Sequence, residues 1–127
     1  YSVYSYLAPY EHTSVFGAGT ATRNDQAEEA IDVILTQFRK MASEGPTEEE
    51  LDDAKAYLTG SYALRFGSSS SIARQLLFLQ LEDLGIDYID KRNDLINAVT
   101  LEDVRRAAQR IFGNGTPTVA IVGSADG

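Results

Sequence analysis

The fold is decided near the start of the chain by two alternating stretches, YSVYSYLAPY at residues 1–10 and TSVFGAGTAT at residues 13–22. In the first stretch small polar residues alternate with aromatic or apolar ones, a pattern typical of a β-strand, and Pro9 ends it. Glu11 and His12 separate the two stretches, which favours a tight turn. The sequence therefore predicts an antiparallel hairpin.

The second stretch contains a Gly-x-Gly pattern at Gly17 and Gly19. A dinucleotide-binding loop would need a third glycine at a fixed spacing and a helix directly after it. No third glycine follows at that spacing, and residues 23–25 intervene before the next helical pattern. We interpret the two glycines as sites of close backbone packing or as a β-bulge.

Five helical patterns follow the hairpin, each with a start signal, a stop signal or a stripe of apolar residues at helical spacing. The third pattern is apolar on several sides, which indicates a helix buried on more than one face or packed against a partner domain. The predicted helices run from Asn24 to a Gly45–Pro46 stop, from Thr47 to about Phe66, over 72–84, from Asp87 onward, and from Thr100 to Gly113.

The stretch TPTVAIVG at residues 116–123 is predicted to be a buried strand with Pro117 at its entry. The order of elements predicts an α+β fold for residues 1–127 as a single domain. We expect a two-layer sandwich, in which the hairpin and the C-terminal strand form a small, mainly antiparallel sheet covered on one face by about five helices. So small a sheet also suggests that the chain is part of a larger protein.

Composition excludes several classes of function. The chain has 19 Asp and Glu against 11 Lys and Arg, a formal net charge of −8, and no basic patch, so we expect no nucleic-acid partner. With no cysteine it forms neither disulfides nor thiolate metal sites. No window approaches the roughly 18 apolar residues of a membrane-spanning helix, so no transmembrane segment is expected.

The single histidine, His12, restricts catalytic chemistry further. A His/His/carboxylate metal site cannot be built from one histidine, and no Gly-x-Ser-x-Gly motif supports a serine triad. We interpret His12 as an exposed turn residue. The acidic run at Glu48–Glu50 lies in the first turn of a helix, where the helix dipole favours negative charge, so we interpret it as a cap. This chain alone does not have the features of a complete enzyme.

Three blocks of sequence together carry a family resemblance. They are GPTEEEL at 45–51 with AK at 54–55 and YLTGS at 57–61, then AVTLEDV at 98–104, and VAIVG at 119–123. In order and spacing they resemble the pitrilysin and insulinase-like zinc peptidases (inverzincins), and most closely the bacterial branch related to mitochondrial processing peptidase. The resemblance covers nearly the whole chain and points to the C-terminal half of such a protein.

The resemblance implies a larger parent built from two homologous α+β halves that close around a peptide. The N-terminal half of such proteins carries the zinc motif H-x-x-E-H, in which a glutamate activates water for attack on the amide. That motif is not in this chain. The implied cofactor is therefore zinc in the parent protein, with no catalytic residue and no metal ligand in this segment.

One functional position is implied at Tyr1. Catalytic relatives carry an Arg followed by a Tyr in their second half, a pair thought to position substrate and stabilise the oxyanion. The run Tyr1-Ser2-Val3 resembles the end of that motif. The Arg of this pair would precede residue 1. Tyr1 is therefore a predicted substrate-binding residue, and the alternative is an ordinary strand aromatic.

The function implied is that of the substrate-binding half of a zinc metalloendopeptidase that cleaves peptides in a closed chamber. The implied partners are a peptide substrate and either a homologous N-terminal zinc half or a zinc-bearing partner subunit. One alternative is a non-catalytic partner or structural subunit of the same fold, and another is an unrelated α+β interaction module. The resemblance to bacterial proteins favours the periplasm over the cytoplasm.

Overall fold

The computed structural model describes residues 2–123. Its strands are β1 (Ser2–Tyr10) and β2 (Thr13–Ala21), and its α-helices in that range are α1 (Ala27–Ser43), α2 (Glu48–Gly60), α3 (Ser69–Leu81), α4 (Tyr88–Ala98) and α5 (Leu101–Phe112). Short 3₁₀ turns at Asn24–Gln26 and Tyr62–Phe66 precede α1 and follow α2. The α+β class predicted from the sequence is confirmed. Among the described residues, no helix combines the length and the apolar character needed to cross a membrane.

The hairpin forms as predicted. β1 and β2 pair antiparallel in one unbroken register, from Ser2 opposite Ala21 to Tyr10 opposite Thr13. Glu11 and His12 make the two-residue turn. Because no residue of the ladder is left out of the pairing, Gly17 and Gly19 are explained by close packing rather than by a bulge.

The chain divides into two compact units. The first comprises the described residues up to Gly45 and those from Arg105 onward, and the second comprises Pro46–Val104. In the first unit, one face of the hairpin packs on helices through three phenylalanine rings. The centroid of Phe16 in β2 lies 5.7 Å from that of Phe38 in α1 and 5.1 Å from that of Phe112 in α5, and Phe38 stacks on Phe112 at 4.8 Å. This cluster joins sheet to helices.

The second unit is organised around Tyr62. Tyr62 is buried, contacts Phe66 edge to face, and lies under the guanidinium of Arg92 at 4.2 Å from its ring centroid. Arg92 also donates a hydrogen bond of 3.1 Å to the carbonyl of Leu58 near the C-terminal end of α2. A cation at that end of a helix is favoured by the helix dipole. Arg92 therefore joins α4 to α2 through a ring contact and a main-chain hydrogen bond.

Several helix boundaries differ from the prediction. α1 begins at Ala27, after a 3₁₀ turn at Asn24–Gln26, and α3 ends at Leu81 rather than residue 84. α2 ends at Gly60 rather than near Phe66, because the chain tightens there into the 3₁₀ turn that brings Tyr62 under Arg92. α3 begins at Ser69 rather than residue 72, because Ser68 caps it by accepting a hydrogen bond from the Ser71 amide.

Burial along α3 is smaller than its composition suggests. Leu79 is buried, whereas Leu77 and Leu81 are 55% and 74% exposed. Burial on more than one face is therefore not seen within residues 2–123, and packing against a partner domain stays a prediction.

The predicted C-terminal strand does not join the sheet among the described residues. That sheet has two strands, β1 and β2, and residues 114–122 carry no ladder pairing. Ile121 and Val122 are 67% and 99% exposed. A strand needs a neighbouring edge to satisfy its main-chain groups, and the apolar run alone does not specify one. The interpretation of residues 1–127 as one domain of a larger protein stays a prediction.

Candidate functional site

The residue predicted from the resemblance, Tyr1, lies outside the described residues. The strand that follows it is described from Ser2 onward and has two unlike faces. Successive side chains of a strand point to opposite faces, and the register fixes which residues of β2 share a face with those of β1. Phe16, one of the three rings that contact each other, lies on one face of the hairpin. The opposite face is the candidate site.

This second face, here called the tyrosine face, carries Tyr4, Tyr6 and Tyr10 of β1 with Gly17 and Gly19 of β2. Tyr4 pairs with Gly19, and Tyr6 pairs with Gly17. A glycine opposite an aromatic residue leaves open space above the neighbouring strand. The tyrosine side chains occupy that space.

The two rings lie across the glycines of the next strand. A Cβ placed on Gly17 would come within 2.5 Å of Cζ and 2.6 Å of Oη of Tyr6. On Gly19 it would come within 2.7 Å of the same two atoms of Tyr4. The hydroxyl ends of both rings therefore lie above β2, and a methyl group at either glycine would displace a ring.

The tyrosine face is open to solvent within the described structure. Tyr4, Tyr6 and Tyr10 are 60%, 47% and 64% exposed. The ring centroids of Tyr4 and Tyr6 are 6.2 Å apart, with an angle of 34° between the planes.

No residue on this face of the hairpin is charged. Its members are Ser2, Tyr4, Tyr6, Ala8, Tyr10, Thr13, Val15, Gly17, Gly19 and Ala21. The face offers aromatic surface and phenol hydroxyls, which can stack on apolar groups and form hydrogen bonds. It offers no acid–base pair.

An ion pair follows the hairpin directly. Arg23 Nε donates a hydrogen bond of 2.9 Å to Oδ1 of Asp25, and a second guanidinium nitrogen contacts Oδ2. The hydrogen bond from Arg23 holds the pKa of Asp25 below its ordinary value. Both side chains are exposed, so this pair orders the exit from β2 at small energetic gain.

The other candidates from the sequence do not form a site. His12 is exposed in the hairpin turn. The acidic run that begins α2 acts as a cap: Thr47 accepts from the Glu50 amide and Glu50 accepts from the Thr47 amide. A shallow depression along α1 is lined by residues of that one helix, Glu28, Glu29, Asp32, Val33, Thr36 and Gln37.

The described residues offer few donor groups for a metal ion. Within residues 2–123, no group of three or more His, Cys, Asp or Glu side chains is placed to hold a metal ion. The sequence has one histidine and no cysteine. The residues described here therefore do not fit a catalytic zinc ion, whose protein ligands are typically three.

Sequence reasoning did not find the pairing of tyrosines with glycines. The signal was available in the hairpin itself. A two-residue turn at Glu11 and His12 fixes the register, and that register places Gly17 opposite Tyr6 and Gly19 opposite Tyr4. An aromatic covering a cross-strand glycine is a known stabilising pair.

Comparison with known proteins shows similarity to one family. Residues 1–58 match the model of the peptidase M16 inactive domain. A protein named as an uncharacterized zinc protease of Streptomyces coelicolor is 26% identical over 126 residues, covering 97% of this chain and 27% of that protein.

A second protein, named as an uncharacterized zinc protease of Bacillus subtilis, is 31% identical over 120 residues, covering 88% of this chain and 27% of its own length. The chain thus spans about a quarter of the length of these relatives. These matches agree with the resemblance to pitrilysin-like zinc peptidases found in the sequence, and residues 1–58 are similar to the domain of that family that is described as inactive.

Proposed function

We propose that this chain is the substrate-binding half of a zinc metalloendopeptidase. The observation that carries the proposal is the position of the family match. Residues 1–58, which match the inactive domain, include the whole hairpin. Phe16 on one face of the hairpin packs against Phe38 and Phe112, while tyrosines on the other face are exposed. Exposed aromatic side chains on a sheet that is attached to helices suit a binding surface held on a rigid support.

The hydrolytic chemistry is assigned to another part of the protein. The residues described here do not fit a catalytic zinc ion, and the relatives that carry the name zinc protease are about four times as long as this chain. We infer that zinc is held by a homologous N-terminal half or by a zinc-bearing partner subunit. This chain then contributes to substrate binding alone.

Peptide binding by strand addition fits the hairpin. An extended peptide can pair with an exposed sheet edge, where main-chain hydrogen bonds give affinity and tolerate varied sequence. The sheet in the described residues has two strands, so each of them has one edge that pairs with nothing there. The hairpin is therefore the element proposed to hold the substrate.

Tyr1, which directly precedes β1 in the sequence, is proposed to act on the substrate. A phenol hydroxyl aimed at the scissile carbonyl would stabilise the negative charge that develops there. In the longer protein, Tyr1→Phe should lower kcat/KM by roughly 100-fold while leaving the thermal unfolding midpoint unchanged. An unchanged kcat/KM would make Tyr1 an ordinary strand aromatic.

The proposed function is tested with a fluorogenic peptide and two samples, the chain alone and the longer protein. The chain alone, supplied with zinc, should release no fluorescence above the buffer rate. The longer protein should hydrolyse the peptide and lose that activity on addition of a chelator. Chelator-sensitive hydrolysis by the chain alone would overturn the proposal, and an inactive longer protein would favour a structural subunit.

A further inference from the structure

We draw no further inference here: the strongest candidate, the surface patch of exposed apolar side chains along α3 formed by Leu77, Phe78 and Leu81, carries none because nothing in the structure of residues 2–123 shows what covers it.

Discussion

The two faces of the hairpin are built from the same two strands and use aromatic residues in opposite ways. On one face Phe16 contacts Phe38 and Phe112, and the three rings fix the sheet to α1 and α5. On the other face Tyr4 and Tyr6 lie over glycines of the neighbouring strand and remain half exposed. The first arrangement contributes mainly stability, and the second keeps aromatic surface available to a partner.

The largest loss of stability is expected from a variant that removes the Phe16 ring, which packs against α1 and α5. Phe16→Ala deletes the ring that contacts both Phe38 and Phe112 and leaves a gap between sheet and helices. Because Phe16 is only partly buried, we expect a loss of about 2–4 kcal/mol in the free energy of unfolding, measured by urea denaturation. Val15→Ala, on the tyrosine face, is the control and should cost less than about 1 kcal/mol. Equal losses from the two variants would contradict the division between the faces.

A smaller effect is expected from a methyl group on the tyrosine face. Gly17→Ala forces the Tyr6 ring away from β2, and we expect a loss of about 1 kcal/mol in the free energy of unfolding. Gly60→Ala is the matched control, because a Cβ there meets no atom within 4 Å and alanine favours a helix, so that variant should gain about 0.5 kcal/mol. If Gly17→Ala were as stabilising as Gly60→Ala, the ring would not lie over Gly17.

The smallest effect concerns the ion pair beyond the hairpin, which belongs to neither face. The hydrogen bond from Arg23 lowers the pKa of Asp25, so the pair stabilises the fold above the ordinary pKa of a carboxyl group and loses that effect as pH falls through the lowered value. Asp25→Asn should therefore lower the unfolding midpoint slightly at neutral pH and not at all at strongly acidic pH.

The control for that pH dependence is Asp94→Asn on the exposed side of α4. Unfolding is followed by circular dichroism at both pH values. A difference between Asp25→Asn and the parent chain that persists at strongly acidic pH would exclude the ion pair as its cause.

The parts of the fold that could be predicted are those set by local signals. The two-residue turn determines the register of the hairpin. The sequence motifs also indicate two helix starts directly, and the reciprocal hydrogen bonds of Thr47 with Glu50 and of Thr100 with Asp103 mark them. These signals act over a few residues and need no tertiary partner, so a single sequence is enough to find them.

The parts that could not be predicted depend on residues distant in sequence. Tyr62 and Phe66 continue the apolar pattern of α2, yet they lie in a 3₁₀ turn in which the Tyr62 ring contacts Arg92 of α4. The apolar run at 119–122 has the pattern of a strand, but it pairs with neither edge of the described sheet. The tyrosine face required the register of both strands, and the role of Tyr1 came only from the family resemblance.

The central claim is that the hairpin of this chain holds peptide substrate. Ring signals of the fluorotyrosine-labelled protein, followed by nuclear magnetic resonance during addition of a short peptide, test this most directly. The account predicts that the signals of Tyr4 and Tyr6 shift in proportion to bound peptide, whereas those of exposed Tyr57 and buried Tyr62 do not. Shifts at Tyr57 or Tyr62 without shifts at Tyr4 and Tyr6 would contradict it.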